Sequence, residues 1–256
     1  MRARDRMESL CWPVAAGLAG LAAWQWAVAA SHSTTFPGPL VVARGFAELA
    51  RRGVLGPYIA DSLLRVGTGF LLALVVGIPL GLLMGWYAAA ARALNPVVQL
   101  LRPISPLAWI PVSIVLFGVS NFATIFLIFL AALFPIVVAT SNGVRGVPEL
   151  FLLAGRNFGL SPAALVRRVL LPAALPQVLV GLRIALGISW LVVVAAEMIA
   201  VDSGLGYLVI DARNAGKRYD LVIAAMLLIG GIGLALDSLA RRIEKLPRVR
   251  WGFPAA

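Results

Sequence analysis

Cysteine, histidine and acidic residues are all scarce in this chain of 256 residues, which has one Cys, one His and 11 Asp and Glu together. A single cysteine cannot form an internal disulfide, and the sequence has no cluster with the ligand spacing of a metal site. It also lacks a convergent acid, base and nucleophile, and no Gly-rich loop ends in the lysine that holds nucleotide phosphates. These absences argue against a metalloprotein, a hydrolase or an ATPase.

Apolar residues are what the chain has in excess. Hydrophobic residues make up 61% and charged residues 13%, with a mean hydropathy of +0.94, which is too apolar for an ordinary soluble domain. Each long apolar stretch is near the roughly 20 residues that cross a bilayer, and in lipid a helix satisfies its own backbone groups. We therefore predict an all-α, polytopic membrane protein with six transmembrane helices at residues 11–30, 60–85, 97–118, 121–141, 177–200 and 219–240.

The basic residues predict how these helices are oriented. With the N-terminus inside, the inner segments hold more Lys and Arg than the outer loops, which favours both termini in the cytoplasm. The net charge of +11 reflects this bias, and no basic stripe with interleaved aromatics indicates nucleic acid as a partner. A signal peptide is the alternative for the first stretch, with residues 27–29 as its cleavage site, but the length of the stretch and the acidic Asp5 and Glu8 favour a retained helix.

A cationic segment between two of the spans, residues 149–172, has the signals of a helix, a turn and a second helix. The first helix should end near Phe158, because Gly159 offers the left-handed position that a helix end favours. Ser161 is a candidate N-cap for the second helix, which we expect Pro172 to end. Such a unit could bind DNA, but the spans on both sides place it at a membrane surface, where anionic lipid could also hold it.

The spacing within this segment resembles the EAA loop of the membrane subunits of ATP-binding-cassette (ABC) importers. That pattern is Glu-Ala-Ala, three residues, Gly, nine residues, Ile, any residue and Leu-Pro. The Glu position carries Leu153, and Glu149, one turn earlier, could project to the same face. The matching positions are Ala154, Gly155, Gly159, Val169, Leu171 and Pro172. The resemblance implies that contact with an ATPase involves Ala154, Gly155, Arg156, Gly159, Leu160, Ser161 and Pro172.

Residues 102–120, 171–200 and 203–209 resemble the nitrate, sulfonate and taurine branch of these permeases. The resemblance implies a type I ABC importer permease fold in the bacterial cytoplasmic membrane. It also implies a permease homodimer, two cytoplasmic ATPase subunits that bind ATP and Mg, and an external substrate-binding protein. The chain itself would have no cofactor and no enzymatic activity. The implied parts are an N-terminal helix and outer loop (1–56), a permease core (57–240) and a cytoplasmic tail (241–256).

Small residues and prolines mark the interior of the spans. Glycines recur at every fourth residue of the second span and predict close packing against another helix. Three prolines in the third span predict an interrupted helix, which is tolerated where it lines a passage. The glycines are Gly77, Gly81 and Gly85, and the prolines are Pro103, Pro106 and Pro111.

Charges within apolar spans are costly and indicate functional hypotheses. Arg183 and Glu197 share the fifth span but are too far apart to pair with each other, whereas Arg65 and Asp237 lie near span ends, where they could snorkel or cap helices.

We predict that a passage at the dimer axis is lined by the third and fifth spans, the alternative being that their hydroxyls bond to backbone carbonyls. The predicted lining residues are Ser105, Trp109, Ser113, Ser189 and Glu197, the first three on one helical face if the prolines leave the register intact.

Function remains open between classes on the residues alone. An ion-coupled secondary transporter would use buried carboxylates, of which Glu197 and Asp237 are candidates, but no inverted repeat is apparent. A membrane-embedded enzyme is opposed by the missing acid, base and nucleophile. The resemblance favours import of an alkanesulfonate, taurine or nitrate, and relatives of this kind also carry small organic nutrients such as a pyrimidine.

Overall fold

The computed structural model describes residues 3–31, 36–214 and 216–244, which form helices and short connections without a β-strand. The tail predicted from residue 241 lies outside the described residues from position 245 onward. Contacts group the chain into two compact units, one within Met1–Pro57 and Leu208–Leu228, the other within Tyr58–Tyr207 and Ile229–Ala256. The α-helices are α1 (Ala3–Ser31), α2 (Pro39–Arg51), α3 (Leu55–Trp86), α4 (Ala88–Leu101), α5 (Ile110–Phe117), α6 (Asn121–Arg145), α7 (Glu149–Asn157), α8 (Pro162–Leu165), α9 (Leu171–Ala200), α10 (Leu205–Asn214) and α11 (Tyr219–Glu244).

In the part of the chain that the structure describes, five helical stretches are long and apolar enough to cross a membrane: Val14–Ser31, Leu55–Trp86, Asn121–Arg145, Pro162–Ala200 and Tyr219–Glu244. Four of the six predicted spans lie within these stretches, and a fifth, 11–30, overlaps Val14–Ser31. The remaining predicted span, 97–118, is not one straight helix. It is the pair α4 and Pro106–Phe117, bent by 84°.

The bend follows from the prolines of the third span. A 3-10 turn at Pro106–Trp109 precedes α5, and Ser105 Oγ accepts the Leu107 N–H at 3.3 Å to start it. Neither Pro103 nor Pro106 has an N–H to continue the ladder of α4, so the helix ends and restarts in a new direction. The predicted interruption is confirmed, and the span is in two pieces.

The glycines of α3 show that the bent pair crosses the membrane. An added Cβ on Gly69, Gly77, Gly81 or Gly85 would stand against Ile128, Ile136, Thr140 or Val144 of α6, respectively. The partner number rises with the glycine number, so α3 and α6 run in the same direction. The chain between them must therefore return to the starting face of the membrane, which makes the bent pair the sixth crossing. The predicted role of the glycines in helix packing is confirmed.

α6 and α9 form the centre of the second unit and run antiparallel. The Ala139 side chain stands where a Cβ on Gly181 would be, and the Gln177 Cβ is 3.4 Å from the corresponding point on Gly143. Small residues thus let the two backbones approach. Ala73 of α3, Ala132 and Ile136 of α6 and Ala185 of α9 are buried together beside this contact.

A group of charged residues holds part of the first unit together. Arg218 Nη2 donates to Glu48 Oε2 at 2.6 Å and to Asp220 Oδ2 at 2.8 Å, which ties α2 to the start of α11. The hydrogen bond from Arg218 lowers the pKa of the Glu48 carboxyl below its ordinary value, aided by the charges of Arg218 and Arg52. The hydrogen bonds to Asp220 and then Glu48 raise the pKa of the Arg218 guanidinium.

Candidate functional site

The cationic segment has the turn that the sequence predicts. α7 ends at Asn157, and the Phe158 N–H donates to the Ala154 carbonyl at 3.0 Å. Gly159 follows with φ +75° and no atom within 4 Å of an added Cβ, so backbone conformation alone requires glycine here. Ser161 is the N-cap of α8, its Oγ accepting the Ala164 N–H at 3.4 Å.

Gly155 is required for a different reason, which is close packing. An added Cβ would stand 2.5 Å from Leu165 Cδ1 and 3.4 Å from side-chain atoms of both Leu160 and Val169. The glycine is itself buried, so α7 lies directly on the start of the second helix. Together with the turn at Gly159, this contact gives the loop a defined shape.

Pro172 does not end the second helix, and the sequence prediction on this point is wrong. α8 passes through a π-helical turn at Val166–Leu170 into α9, so Pro162–Ala200 is one helical stretch of 39 residues. Pro172 has no N–H for the carbonyl of Arg168, and the wider turn before it accommodates the proline ring. The loop is therefore joined to a membrane helix without a break in helical backbone.

The loop exposes large apolar side chains as well as its arginines. Leu150 is 70% and Phe158 86% exposed, and Phe151 and Leu153 are exposed beside them. Leu153 occupies the position at which the resemblance expects an acidic residue. Contiguous large apolar side chains at a surface mark a contact site for a partner. Of the other predicted coupling residues, Arg156, Ser161 and Pro172 are exposed, and Ala154 and Leu160 are half-buried.

A second notable region is the Glu197 cluster, formed by Ser62, Arg65, Asn121, Glu197 and Ser203. Glu197 is 0% and Arg65 4% exposed, and Arg65 Nη1 donates to Glu197 Oε1 at 2.7 Å. Arg65 also donates to the Ser203 carbonyl at 2.8 Å, to Ser203 Oγ at 2.5 Å and to Asn121 Oδ1 at 2.8 Å. A buried ion pair is stable only when its remaining groups are also bonded, and here they are.

The Gly-Leu-Gly sequence at 204–206 completes the Glu197 cluster. The Gly206 N–H donates to Glu197 Oε2 at 2.9 Å, and the Leu205 N–H donates to Ser62 Oγ at 3.0 Å. Gly204 has φ +101°, and a Cβ on it would collide with the Glu197 carboxylate. These glycines surround a buried glutamate, which no local sequence pattern indicates.

Arg183 and Asp237 form another ion pair, which is more exposed than the pair of Arg65 and Glu197. Arg183 Nε donates to Asp237 Oδ1 at 2.6 Å, and Arg183 Nη1 lies 3.4 Å from Glu244 Oε2. Their side chains are 31% and 33% exposed. The expectation that Arg65 and Asp237 snorkel or cap helices is thus corrected, because each pairs with a charge on the fifth span.

The residues predicted to line a passage do not share one surface. Ser113, Ser189 and Glu197 are buried, whereas Ser105 is exposed and Trp109 half-buried. Ser105, Trp109 and Ser113 do not share a continuous α-helical face, because a 3-10 turn lies between Ser105 and α5 and ends at Trp109. Ser113 Oγ donates to the Ile110 carbonyl and Ser189 Oγ to the Ala185 carbonyl, both at 2.8 Å, as the alternative interpretation expects.

Two cavities lie beside the α6–α9 contact, and one of them also reaches the broken span. The first, which we call the Arg102 cavity, has a volume of about 440 Å³. It is lined by Arg102, Ile104 and Pro106 from the break and by mostly apolar residues of α6 and α9. The other, about 450 Å³, reaches Pro148 and Phe151 at the start of the cationic loop. Asn142 and Gln177 line both cavities.

The interrupted span, the close packing of helices at small residues and the two-helix loop continuous with a span define a polytopic helical membrane protein. Residues 77–249 match the family described as the binding-protein-dependent transport system inner membrane component, and the chain belongs to that family. This membership favours a permease of an ABC importer over the ion-coupled secondary transporter and the membrane-embedded enzyme.

Named relatives agree with the assignment. The chain is 46% identical over 184 residues to an ABC transporter permease protein of Methanocaldococcus jannaschii, covering 72% of this chain and 68% of that one. It is 37% identical to the nitrate import permease NrtB of Synechococcus elongatus (88% and 85% covered). It is 34% identical to the bicarbonate permease CmpB of the same species (94% and 91% covered). A chain from inward-facing MetNI, a methionine ABC transporter, shares the fold, with TM-score 0.65, 22% identity and coverage of 80% and 99%.

Proposed function

We propose that this chain is the membrane subunit of an ATP-driven importer and forms, as a homodimer, the passage for a small anion. ATP and Mg would bind two separate cytoplasmic ATPase subunits, and an external binding protein would deliver the substrate. Both termini would lie in the cytoplasm of a bacterium, with the protein in its inner membrane. Membership of a family described by its dependence on binding proteins supports this arrangement.

The observation that carries the proposal is the loop between α6 and α9. Its exposed apolar side chains offer a docking surface for the ATPase, and its second helix continues into α9. Movement of a docked ATPase would therefore be transmitted directly to the helix that lines both cavities. Two copies of the chain would match the two ATPase subunits through C2 symmetry.

A substitution on the loop surface tests this coupling. Phe158→Ser removes a side chain that is 86% exposed and leaves the internal packing of Gly155 untouched. We expect it to reduce copurification of the ATPase by about tenfold or more, because truncating a central interface aromatic costs about 2 kcal/mol or more. Phe122→Ser, which removes a 69% exposed side chain at the start of α6, is the matched control. Equal copurification in both variants would contradict the docking assignment.

We propose a small oxyanion as substrate, with nitrate and bicarbonate ahead of taurine and other sulfonates. The nitrate and bicarbonate permeases among the relatives support this order. The complex of permease, ATPase and binding protein, reconstituted in proteoliposomes, should take up one of these anions on addition of ATP. Uptake of a neutral pyrimidine with no anion uptake would refute the substrate class and leave the importer assignment intact.

A further inference from the structure

We propose that Arg102, Asn142 and Gln177 form an anion-selecting site within the permease, at the junction of the two cavities. This inference rests on the proposed function as an anion importer and assigns its selectivity to particular side chains. Arg102 follows α4 at the break of the third span, Asn142 lies near the end of α6, and Gln177 lies near the start of α9.

The chemistry of the cavity walls is the first support. Apart from these three residues, the walls of both cavities consist of Ala, Gly, Ile, Leu, Phe, Pro and Val. Neither lining contains an acidic residue. The Arg102 cavity therefore has one cationic group, two amides that can donate hydrogen bonds and no carboxylate to repel an anion. Ligand sites have this composition, with a few convergent polar groups in apolar walls.

The position of the two amides is the second support. Asn142 and Gln177 are the residues that the two cavities have in common, so a solute that moves from one to the other passes them. Gln177 Cβ is 3.4 Å from the point at which a Cβ on Gly143 would stand, which places the two amide-bearing residues side by side across the α6–α9 contact. Selection at this point would act on every transported ion.

The third support is that the three side chains are unpaired. Among the described residues, the Arg102 guanidinium has no ion-pair or hydrogen-bond partner, and the amides of Asn142 and Gln177 have none either. Arg65, Arg145 and Arg183 of the second unit donate to protein groups, whereas the exposed Arg92 has no such partner among the described residues, as is the case for Arg102. Arg102, Asn142 and Gln177 are all exposed, so their donors are open to a solute in the cavities, and a small anion can accept hydrogen bonds from all three.

A reagent experiment tests the charge of this site directly. Gln177→Cys in a Cys11→Ser background places a thiol at the junction. In zwitterionic-lipid nanodiscs, and relative to the rates of both reagents with a free thiol in solution, we expect anionic sulfonatoethyl methanethiosulfonate to react at least about tenfold faster than the cationic trimethylammonium-ethyl reagent, because Arg102 in the same cavity lining attracts the first and repels the second. Adding Arg102→Gln should bring the ratio of the anionic to the cationic reagent's rate close to one. Adding Arg92→Gln, an equal charge change at an exposed α4 residue outside both cavity linings, should leave it unchanged.

Two results of this experiment would overturn the proposal. One is a reagent preference that survives Arg102→Gln. The other is a preference that disappears when anionic lipid is added, because Arg102 would then bind a lipid headgroup rather than a free anion. A preference that persists in both lipids supports a site for free anions.

Uptake assays separate this proposal from the proposed function. In the reconstituted importer, Arg102→Gln should lower nitrate or bicarbonate uptake about tenfold, the loss expected for one charge-assisted hydrogen bond. Arg102→Lys should keep most of the activity, and stimulation of the ATPase by loaded binding protein should persist in both variants. Unchanged uptake by Arg102→Gln would refute the site alone. A wild-type complex that transports no anion would refute the proposed substrate class, whatever the reagent ratio.

Discussion

Arg65 and Arg102 both lie in apolar segments of the second unit, yet their surroundings differ completely. Arg65 is 4% exposed and donates to Glu197, Asn121 and Ser203, whereas Arg102 is exposed at a cavity and has no partner among the described residues. A fully satisfied buried cation fixes a structure, and an unsatisfied one in apolar walls is free to bind a ligand. The difference lies in hydrogen-bond partners rather than in residue type.

The largest expected effect comes from breaking the Glu197 cluster. Glu197→Met leaves Arg65 buried without its counter-charge, and we expect a loss of about 3–5 kcal/mol of stability. Thermal or SDS unfolding of the detergent-solubilised protein measures it. The double variant Arg65→Met, Glu197→Met should recover much of the loss, because no unpaired charge then remains. Arg102→Met is the matched control and should change stability by less than about 0.5 kcal/mol. A similar loss for Arg102→Met would erase the distinction between the two regions.

The glycine turn around Glu197 gives the next effect. Gly206→Ala would place a Cβ against the Val194 carbonyl and 2.8 Å from Glu197 Cβ, so backbone must shift. We expect a loss of about 1–3 kcal/mol, as for overpacking of a core. Gly187→Ala, on α9 with nothing within 4 Å of the new Cβ, should be neutral or stabilising. Equal unfolding midpoints for both variants would show that the turn tolerates bulk and that its glycines are not required by the buried carboxylate.

The contrast between these regions also explains which features were predictable. The end of α7 and the left-handed Gly159 follow from local signals, so the sequence was sufficient to predict them. The pairing of Arg65 with Glu197 joins residues 132 positions apart, and no local pattern indicates it. Pro172 misled because a π-helical turn, which has no sequence signature, precedes it. The cavity residues Asn142 and Gln177 were not singled out because an amide in an apolar span has no distinctive spacing.

The Arg183–Asp237 pair is intermediate in burial and should be intermediate in effect. Both side chains are about one-third exposed, so solvent screens their attraction. We expect Asp237→Asn to cost about 1 kcal/mol or less, well below the loss for Glu197→Met. Raising the salt concentration should narrow the difference between Asp237→Asn and wild type in unfolding assays. The effect of Glu197→Met should respond little to salt, because its site is closed to ions. A large, salt-independent loss of stability in Asp237→Asn would mean that solvent exposure does not determine how much these ion pairs stabilise the fold.

The smallest effect is expected at the exposed end of this series, where Glu48 pairs with Arg218 in the first unit. The hydrogen bond from Arg218 lowers the pKa of Glu48 below its ordinary 4.5 in the folded protein. The folded state therefore favours the ionised form, so this contribution to stability is fully present above about pH 5 and is lost as the pH falls below 4.5 towards the lowered pKa.

The difference in unfolding midpoint between wild type and Glu48→Gln should be constant from pH 7 to 5.5 and shrink on further acidification. A difference in unfolding midpoint that grows in acid would mean that folding raises the pKa of Glu48, and it would rule out the Arg218 hydrogen bond as the cause of the pH dependence.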